Sequence, residues 1–169
     1  MSRYIALLRA VNVGGTGKLP MAELRSMCEA IGCTEVRTYI ASGNVVFASR
    51  LAKAMVKHKL EAALEAYAGK PVGVAIRTGA EMAAMRAANP FASAAPNRTV
   101  AIFLDGPPPA DTLERVSGLR NEDIALGANE IYIHYRDGMA DSKLKIAAAK
   151  AGTARNMNTV ATLAEWAAG

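Results

Sequence analysis

Two polar segments near opposite ends of the chain carry residue types suited to binding an anion. An apolar run from Tyr4 to Leu8 leads into a glycine-rich segment, and a second polar segment covers residues 152–159. Amides of a glycine-rich loop, arginine side chains and the first residues of a helix all bind phosphate-like groups. The predicted ligand-binding residues are Arg9, Asn12, Gly14, Gly15 and Lys18 in the first segment and Arg155, Asn156, Asn158 and Thr159 in the second.

Each segment also has a purely structural interpretation. The first is neither a Walker motif nor a dinucleotide fingerprint, because Leu19 follows Lys18 where serine or threonine would hold magnesium. A plain flexible loop is therefore the structural interpretation of this segment. In the second segment, Asn158 or Thr159 can act as the N-cap of the last helix. Capping explains one of these residues but not the whole set, so both interpretations stay open.

A possible second cluster combines two short polar stretches. Ser42 and Asn44 flank Gly43 in a predicted tight turn, where glycine or asparagine tolerates a positive φ. Ser142 is a suitable N-cap for a predicted helix over Lys143 to Ala151, and Lys143 is expected to be solvated. These four residues are predicted as a possible second ligand-binding cluster, besides their structural roles.

Catalytic and metal-binding patterns are not evident in the sequence. His58 and His134 are not accompanied by clustered acidic residues or by a serine or cysteine nucleophile motif. Cys28 and Cys33 have neither zinc-site nor CxxC spacing. We therefore predict no metal, no cofactor and no disulfide, and whether the chain is an enzyme stays open.

Composition indicates a globular protein with a mildly basic surface. The chain has 169 residues, 51% of them hydrophobic, and a formal net charge of +5. This excess permits a nucleotide or nucleic-acid partner but does not require one. No apolar run is long enough to span a bilayer. We expect a soluble, cytoplasmic protein without membrane contact, and its oligomeric state stays open.

The apolar periodicity predicts an α+β fold made of two similar halves. Residues 1–78 are predicted as β-α-β-β-α-β, the ferredoxin-like order, with an antiparallel sheet and Tyr4 to Leu8 in a central strand. Residues 79–169 are predicted as a second β-α-β-β-α half with a C-terminal helix, including a helix that Asp111 caps and that runs to Leu119. The two halves are expected to form one compact unit.

Five motifs along the chain are long or specific enough to compare with known families. They are RAVNVGG from Arg9, residues 18–24, RTYIASGNVVF from Arg37, SKL from Ser142 and GTARNMNTV from Gly152. In this order they resemble the motifs of the bacterial domain of unknown function 1697 family. The resemblance covers almost the whole chain and implies a compact α+β protein of two ferredoxin-like halves, with no implied activity. The chain differs from the family pattern at Ala10, Ala41, Ala154 and Met157, where glycine, glutamine, threonine and tryptophan are usual.

Three functional hypotheses follow from these observations. In the first, a basic polar cleft binds a phosphate-bearing ligand, either a nucleotide or a nucleic acid, with Arg9, Lys18 and Arg155 as charge partners and Asn12, Asn156 and Asn158 as directional contacts. In the second, the chain is an enzyme with an unrecognised general acid or base. In the third, it is a non-catalytic scaffold or interaction protein.

The first hypothesis includes an expectation about geometry. The exit loop of the first strand and the Ser42–Asn44 turn are expected at opposite ends of the first sheet. The first loop is therefore expected to pair with Arg155 to Asn158 across the two halves.

Overall fold

The computed structural model describes residues 1–9, 18–40 and 42–168. The fold is mixed α+β with antiparallel sheets, as predicted. The chain divides into two compact units, one formed by Met1–Ala83 together with the residues from Leu163 onwards, and the other by Ala84–Thr162. The last helix thus contributes residues to both units, whereas the sequence-based division at residue 78 assigned it to the second half.

The first unit contains a four-stranded antiparallel sheet with the strand order β2-β3-β1-β4. The predicted β-α-β-β-α-β order of residues 1–78 and the central position of the first strand are both confirmed. This order is compatible with the ferredoxin-like arrangement. The elements are β1 Ser2–Leu8, α1 Met21–Ala30, β2 Thr34–Tyr39, β3 Asn44–Ser49, α2 Lys53–Ala68, β4 Val74–Thr78 and α3 Gly79–Ala87.

One face of this sheet packs on α1 and α2. The helix stripes bury Leu24 and Cys28 of α1 and Val56, Leu60 and Leu64 of α2. They pack in one core cluster with the alternate strand residues Tyr4, Ala6, Leu8, Val45, Phe47, Val74 and Ile76. Met55 and Tyr67 of α2 lie outside the buried stripe, since they are 46% and 47% exposed. The opposite face carries Ile5, Leu7 and Val46, and these side chains are buried as well.

Helix α3 begins with a reciprocal capping arrangement. The Thr78 hydroxyl accepts a hydrogen bond from the Glu81 N–H at 3.1 Å, and the Glu81 carboxylate accepts one from the Thr78 N–H at 2.9 Å. Lys53 also donates to both Glu81 oxygens at 3.0 Å. This capping box satisfies two N–H groups that a helix start leaves without helical partners.

The second unit contains a four-stranded antiparallel sheet, ordered β10-β5-β8-β7, and a separate two-stranded sheet of β6 and β9. Residues 123–126 and 130–134 of this sheet form an antiparallel hairpin. The strands and helix are β5 Thr99–Phe103, β6 Val116–Ser117, β7 Asp123–Leu126, β8 Glu130–His134, β9 Lys145–Ile146, β10 Thr153–Asn156 and α4 Met157–Ala168; three single-turn 3-10 helices cover Pro96–Arg98, Thr112–Arg115 and Ala147–Ala151.

Two helices predicted in this unit are wrong. The stretch expected to form a helix capped by Asp111 is a single 3-10 turn followed by β6, and Asp111 makes no side-chain cap. The stretch from Lys143 to Ala151 is β9 and another 3-10 turn. Strand β10 was also missed. The two wrong helix predictions have one cause. Val116 pairs with Ile146, and this long-range pairing overrides local helix propensity.

No helix among the described residues has the length and apolar character needed to cross a membrane.

Candidate functional site

The end of the first sheet brings together two sequence-predicted clusters that were expected to lie apart. The Leu8 N–H donates to the Gly43 carbonyl at 2.8 Å, and the Arg9 N–H donates to the Gly73 carbonyl at 2.9 Å. The expectation of opposite ends was wrong, because β1 and β3 are antiparallel neighbours with Leu7 opposite Asn44. The exit of β1 therefore meets the start of β3 and the turn before it.

The strand register shows which of the residues near this sheet end share a face. Leu7 lies opposite Asn44, and Asn44 lies opposite Tyr39, so these three side chains share a face. Alternation along β2 adds Arg37 to the same face, opposite Val46. Alternation beyond Leu7 likewise assigns Arg9 to it. We call the face that carries Arg9, Arg37, Tyr39 and Asn44 the arginine face.

The arginine face includes an aromatic-stacked guanidinium. The Arg37 Cζ lies 3.5 Å from the ring centroid of Trp166 on α4, at cation–π distance. The Tyr39 ring meets Trp166 edge-on, with centroids 5.2 Å apart and an interplanar angle of 81°. Trp166 is half-buried and Arg37 is exposed. The stack thus fixes the plane of the guanidinium while leaving the residue accessible to solvent.

The turn between β2 and β3 is held by its own side chains. The buried Asn44 side-chain amide donates to the Tyr39 carbonyl and to the Ser42 hydroxyl, both at 2.9 Å. Ile40 has a φ of 50° and is 50% exposed. A β-branched residue in the left-handed region is strained, and such strain is concentrated at functional sites. Asn44 is therefore a structural residue, whereas Ser42 and Ile40 lie at the accessible edge of the turn.

The remaining residues of the first predicted cluster border this sheet end or lie outside the described residues. Asn12, Gly14 and Gly15 fall in residues 10–17, which lie outside the described ranges. Arg9 and Lys18 flank that segment, and both are exposed.

The second predicted segment is mostly built into the second sheet and the start of α4. Arg155 lies on β10 and is only 8% exposed, with its Nη1 donating to the Thr153 hydroxyl and the Ala154 carbonyl, both at 2.8 Å. Burial lowers the pKa of its guanidinium to about 10, so it stays charged at neutral pH. Asn156, rather than Asn158 or Thr159, caps α4 by accepting the Thr159 N–H at 3.0 Å. Capping was expected here, but the predicted capping residue was wrong.

Asn158 is the accessible residue of that segment. It is exposed and lines a cavity of about 370 Å³ within the second unit, together with Arg86, Asn89 and Phe91. The cavity is partly apolar, and the side-chain amide oxygen of Asn89 already accepts the Phe91 N–H at 2.9 Å.

Ser142 and Lys143 belong to a loop before β9 instead of a helix start. The Ser142 hydroxyl donates to Glu122 at 2.6 Å and accepts the Leu144 N–H at 3.3 Å. The Ser142 hydroxyl and a backbone N–H of Arg120 lower the pKa of the Glu122 carboxyl. Lys143 is exposed, as expected. Both residues belong to the second unit, whereas Ser42 and Asn44 belong to the first.

The titratable groups that could serve catalysis are engaged in other contacts. Asp123 binds Arg136 at 2.8 and 3.1 Å and lies 3.4 Å from His134. The Arg136 hydrogen bonds lower the pKa of the Asp123 carboxyl. Burial raises the pKa of Cys28 to about 12 and of Cys33 to about 11, so both free thiols stay protonated at neutral pH. Among the described residues, no cluster of three His, Cys, Asp or Glu side chains could hold a metal.

Sequence reasoning missed Arg37, Tyr39 and Trp166. Arg37 and Tyr39 were recognised as part of the RTYIASGNVVF motif, but they were not among the predicted ligand-binding residues. Their two-residue spacing could have placed them on one face, but their contact with Trp166, which lies 129 positions after Arg37 and 127 after Tyr39, had no sequence signal.

Fold and sheet geometry place the chain among mixed α+β proteins built on antiparallel sheets. It belongs to the family described as "Protein of unknown function (DUF1697)", whose model matches residues 1–132, and this confirms the family resemblance. A similar solved structure is that of the conserved bacterial protein SP0830 from Streptococcus pneumoniae, with a TM-score of 0.80, 26% identity and 97% of each chain covered. The comparison with curated proteins gave no match.

Proposed function

We propose that the arginine face of the first unit binds a phosphate-bearing ligand, a nucleotide or a nucleic-acid segment. The observation that carries this proposal is the stacking of the Arg37 guanidinium on Trp166 at 3.5 Å. Stacking orients a planar fork of N–H donors before a ligand arrives, which reduces the entropy lost on binding.

The donors of Arg37 are available for a ligand. The Arg37 side chain has no hydrogen-bond or ion-pair partner among the described residues. A phosphate accepts two parallel hydrogen bonds from such a fork. The outer face of a guanidinium can also stack on a nucleobase, and this favours a nucleotide over a simple sugar phosphate.

Arg9 supplies a second cation to the same face, and Lys18 is proposed as a third cation at the far end of the glycine-rich segment. Arg155 is not part of this proposal, because it is buried in the other sheet and bonded to its own strand. The cleft between halves expected from the sequence is therefore replaced by one face of one sheet. The strained, exposed Ile40 beside Tyr39 supports the same location.

The test is isothermal titration with nucleoside monophosphates, short single-stranded RNA and DNA, ribose 5-phosphate and inorganic phosphate. Arg37→Ala should weaken binding of the best ligand by about ten- to a hundredfold, the value of one charge-assisted hydrogen bond. Arg9→Ala should weaken it by a similar factor. Arg25→Ala is the matched control, since Arg25 is an exposed arginine of α1 with a long 3.6 Å ion pair to Glu29.

Two results would reject the proposal. One is the absence of binding for all of these ligands at millimolar concentration, which would leave the scaffold hypothesis. The other is equal loss of affinity in Arg25→Ala and Arg37→Ala, because net charge alone would then explain binding.

A further inference from the structure

A cavity in the second unit combines an aromatic ring with two side-chain amides. Its volume of about 370 Å³ lies within the range of roughly 300 to 1,000 Å³ that small-molecule sites occupy. We define the Phe91 cavity by five of the residues that line it, Asn89, Phe91, Pro96, Met157 and Asn158. Mostly apolar walls with a few polar groups are typical of sites that bind small molecules.

The walls of the Phe91 cavity are positioned by strand pairing around β5. Asn156 of β10 lies opposite Val100, and His134 of β8 lies opposite Thr99. Helix α4 begins at Met157, directly after β10. The first residues of α4 and the segment that leads into β5 therefore lie side by side, and both contribute to the cavity wall.

The Phe91 ring is oriented by contacts within the unit. Its centroid lies 5.9 Å from that of the His134 ring, with an interplanar angle of 34°, at a distance typical of aromatic pairs. The Phe91 N–H donates to the Asn89 side-chain oxygen, and its carbonyl accepts the Ala94 N–H, both at 2.9 Å. Phe91 is half-buried, so the ring is held in place and still lines the cavity. Such a ring is a stacking surface for a planar ligand.

The two asparagines offer hydrogen-bonding groups that the protein does not use. Asn158 is exposed, and its side-chain amide has no partner among the described residues, so it offers a donor and an acceptor side by side. The Asn89 oxygen is engaged with Phe91, but its Nδ2 has no acceptor among the described residues. Arg86 also lines the cavity but has an interaction of its own, so its charge is not used in this inference.

We propose that the Phe91 cavity binds the adenine base of a nucleoside or nucleotide. Adenine carries an amino donor beside a ring-nitrogen acceptor, and an asparagine amide pairs with both at once. Asn158 supplies that pair, Asn89 supplies a further donor, and the base stacks on Phe91 while Pro96 and Met157 add apolar contacts. The base is uncharged, which matches neutral amides, and no residue of the arginine face takes part.

The test is isothermal titration of the full chain with adenosine, which carries the base without a phosphate. Asn158→Ala should weaken adenosine binding by about ten- to a hundredfold, the value of one bidentate amide–base pair. Phe91→Leu keeps an apolar side chain but removes the stacking surface, and should weaken binding by roughly tenfold. Asn97→Ala is the matched control and should leave the affinity unchanged, because Asn97 is an exposed asparagine of the same unit that does not line the cavity.

Two further measurements separate recognition of the base from a structural effect. Asn89→Asp keeps an oxygen to accept the Phe91 N–H but removes the Nδ2 donor, so adenosine binding should weaken while thermal melting stays close to that of the parent. Purine riboside lacks only the exocyclic amino group of adenosine. It should bind the parent about fivefold or more less tightly, because the Asn158 acceptor then has no partner.

The carrier of the base is identified in Arg37→Ala, whose arginine face lacks the stacked guanidinium. Adenosine and adenosine monophosphate are titrated into this variant in parallel, and the tighter ligand shows whether a nucleoside or a nucleotide is preferred. The proposal is overturned if adenosine does not bind the parent at millimolar concentration, or if purine riboside binds as tightly as adenosine. It is also overturned if Asn97→Ala weakens binding as much as Asn158→Ala, or if Arg37→Ala abolishes adenosine binding. That last result would instead place the base on the arginine face.

Discussion

Arg37 and Arg155 both lie on strands of four-stranded antiparallel sheets, yet their surroundings differ in kind. Arg37 is exposed and its guanidinium stacks on the Trp166 ring at 3.5 Å. Arg155 is 8% exposed and donates to Thr153 and Ala154 of its own strand. A guanidinium that donates to its own strand has fewer donors for a ligand, and one stacked at the surface keeps them. The exposure of an arginine side chain, and not its position in a sequence motif, therefore decides whether its donors are available to a ligand.

This contrast has an electrostatic basis. Removing a guanidinium from water is costly, so a buried arginine needs protein acceptors to replace hydration. Burial lowers the pKa of Arg155 to about 10, which reflects that cost. Arg37 keeps much of its hydration and gains a cation–π contact as well. Removing the buried arginine should therefore mainly affect stability, and removing the stacked one should mainly affect binding.

The largest expected effect on stability is that of Arg155→Ala. We expect the free energy of unfolding to fall by about 2 to 3 kcal/mol, because the substitution removes charge-assisted hydrogen bonds and leaves buried acceptors without a donor. Urea denaturation monitored by circular dichroism measures this loss. Arg25→Ala should change stability by less than about 1 kcal/mol. Parent-like unfolding of Arg155→Ala would remove the distinction between the two arginines.

A second prediction applies the burial rule to a thiol of the first unit. Burial raises the pKa of Cys28 to about 12 from an ordinary value of 9.0. Above pH 9 the unfolded chain loses this proton while the folded chain keeps it, so stability should fall as pH rises towards 12. At pH 10 the loss from this thiol should be about 1 to 2 kcal/mol relative to pH 8.

Urea unfolding of the parent and of Cys28→Ala at both pH values measures that dependence. The parent should lose more stability between pH 8 and pH 10 than the variant. Equal losses would show that Cys28 is accessible to water in the folded chain.

The third prediction concerns the half-exposed cap of α3. Thr78→Ala should cost about 1 kcal/mol, because it removes the hydroxyl that accepts the Glu81 N–H. Desolvation raises the pKa of Glu81, but hydrogen bonds from the Thr78 N–H and Lys53 outweigh it and the net shift is downward. The stability from this carboxylate is therefore present above its ordinary pKa and is lost as pH falls. Thermal unfolding at pH 7 and pH 4 should show a smaller pH dependence in Glu81→Gln than in the parent.

The smallest expected change in stability is that of Arg37→Ala. A cation–π contact at an exposed site contributes about 0.5 to 1 kcal/mol, so unfolding should shift by no more than this amount. A double-mutant cycle with Trp166→Ala measures the coupling directly. If Arg37→Ala destabilises as much as Arg155→Ala, the stack is structural and the proposed function loses its main support.

Local patterns were sufficient to predict the first unit. The Val56, Leu60 and Leu64 spacing indicated α2, and alternating apolar residues indicated the strands. The second unit was harder, because Thr112–Arg115 and Ala147–Ala151 are short turns whose course is fixed by the pairing of Val116 with Ile146. A two-residue strand has too little periodicity to be found in a sequence.

The candidate site was predicted only in part for a similar reason. The sequence identified Arg9 and the Ser42–Asn44 turn, but their meeting at one sheet end follows from the antiparallel pairing of β1 with β3. It also identified the Arg155 segment, whose burial depends on the pairing of Arg155 with Ala101 in a sheet that sequence reasoning had not extended to β10.

By itself, the sequence determined the periodic helices, the central strand, the mild positive charge and the family motifs, because these depend on residue types and short spacings. Tertiary structure alone decided which arginines are buried and which aromatic ring Arg37 and Tyr39 contact. These properties depend on contacts such as that of Arg37 with Trp166, whose partners are far apart in the chain. Local propensity carries no information about them, since they arise only when the strands pair and the helices pack.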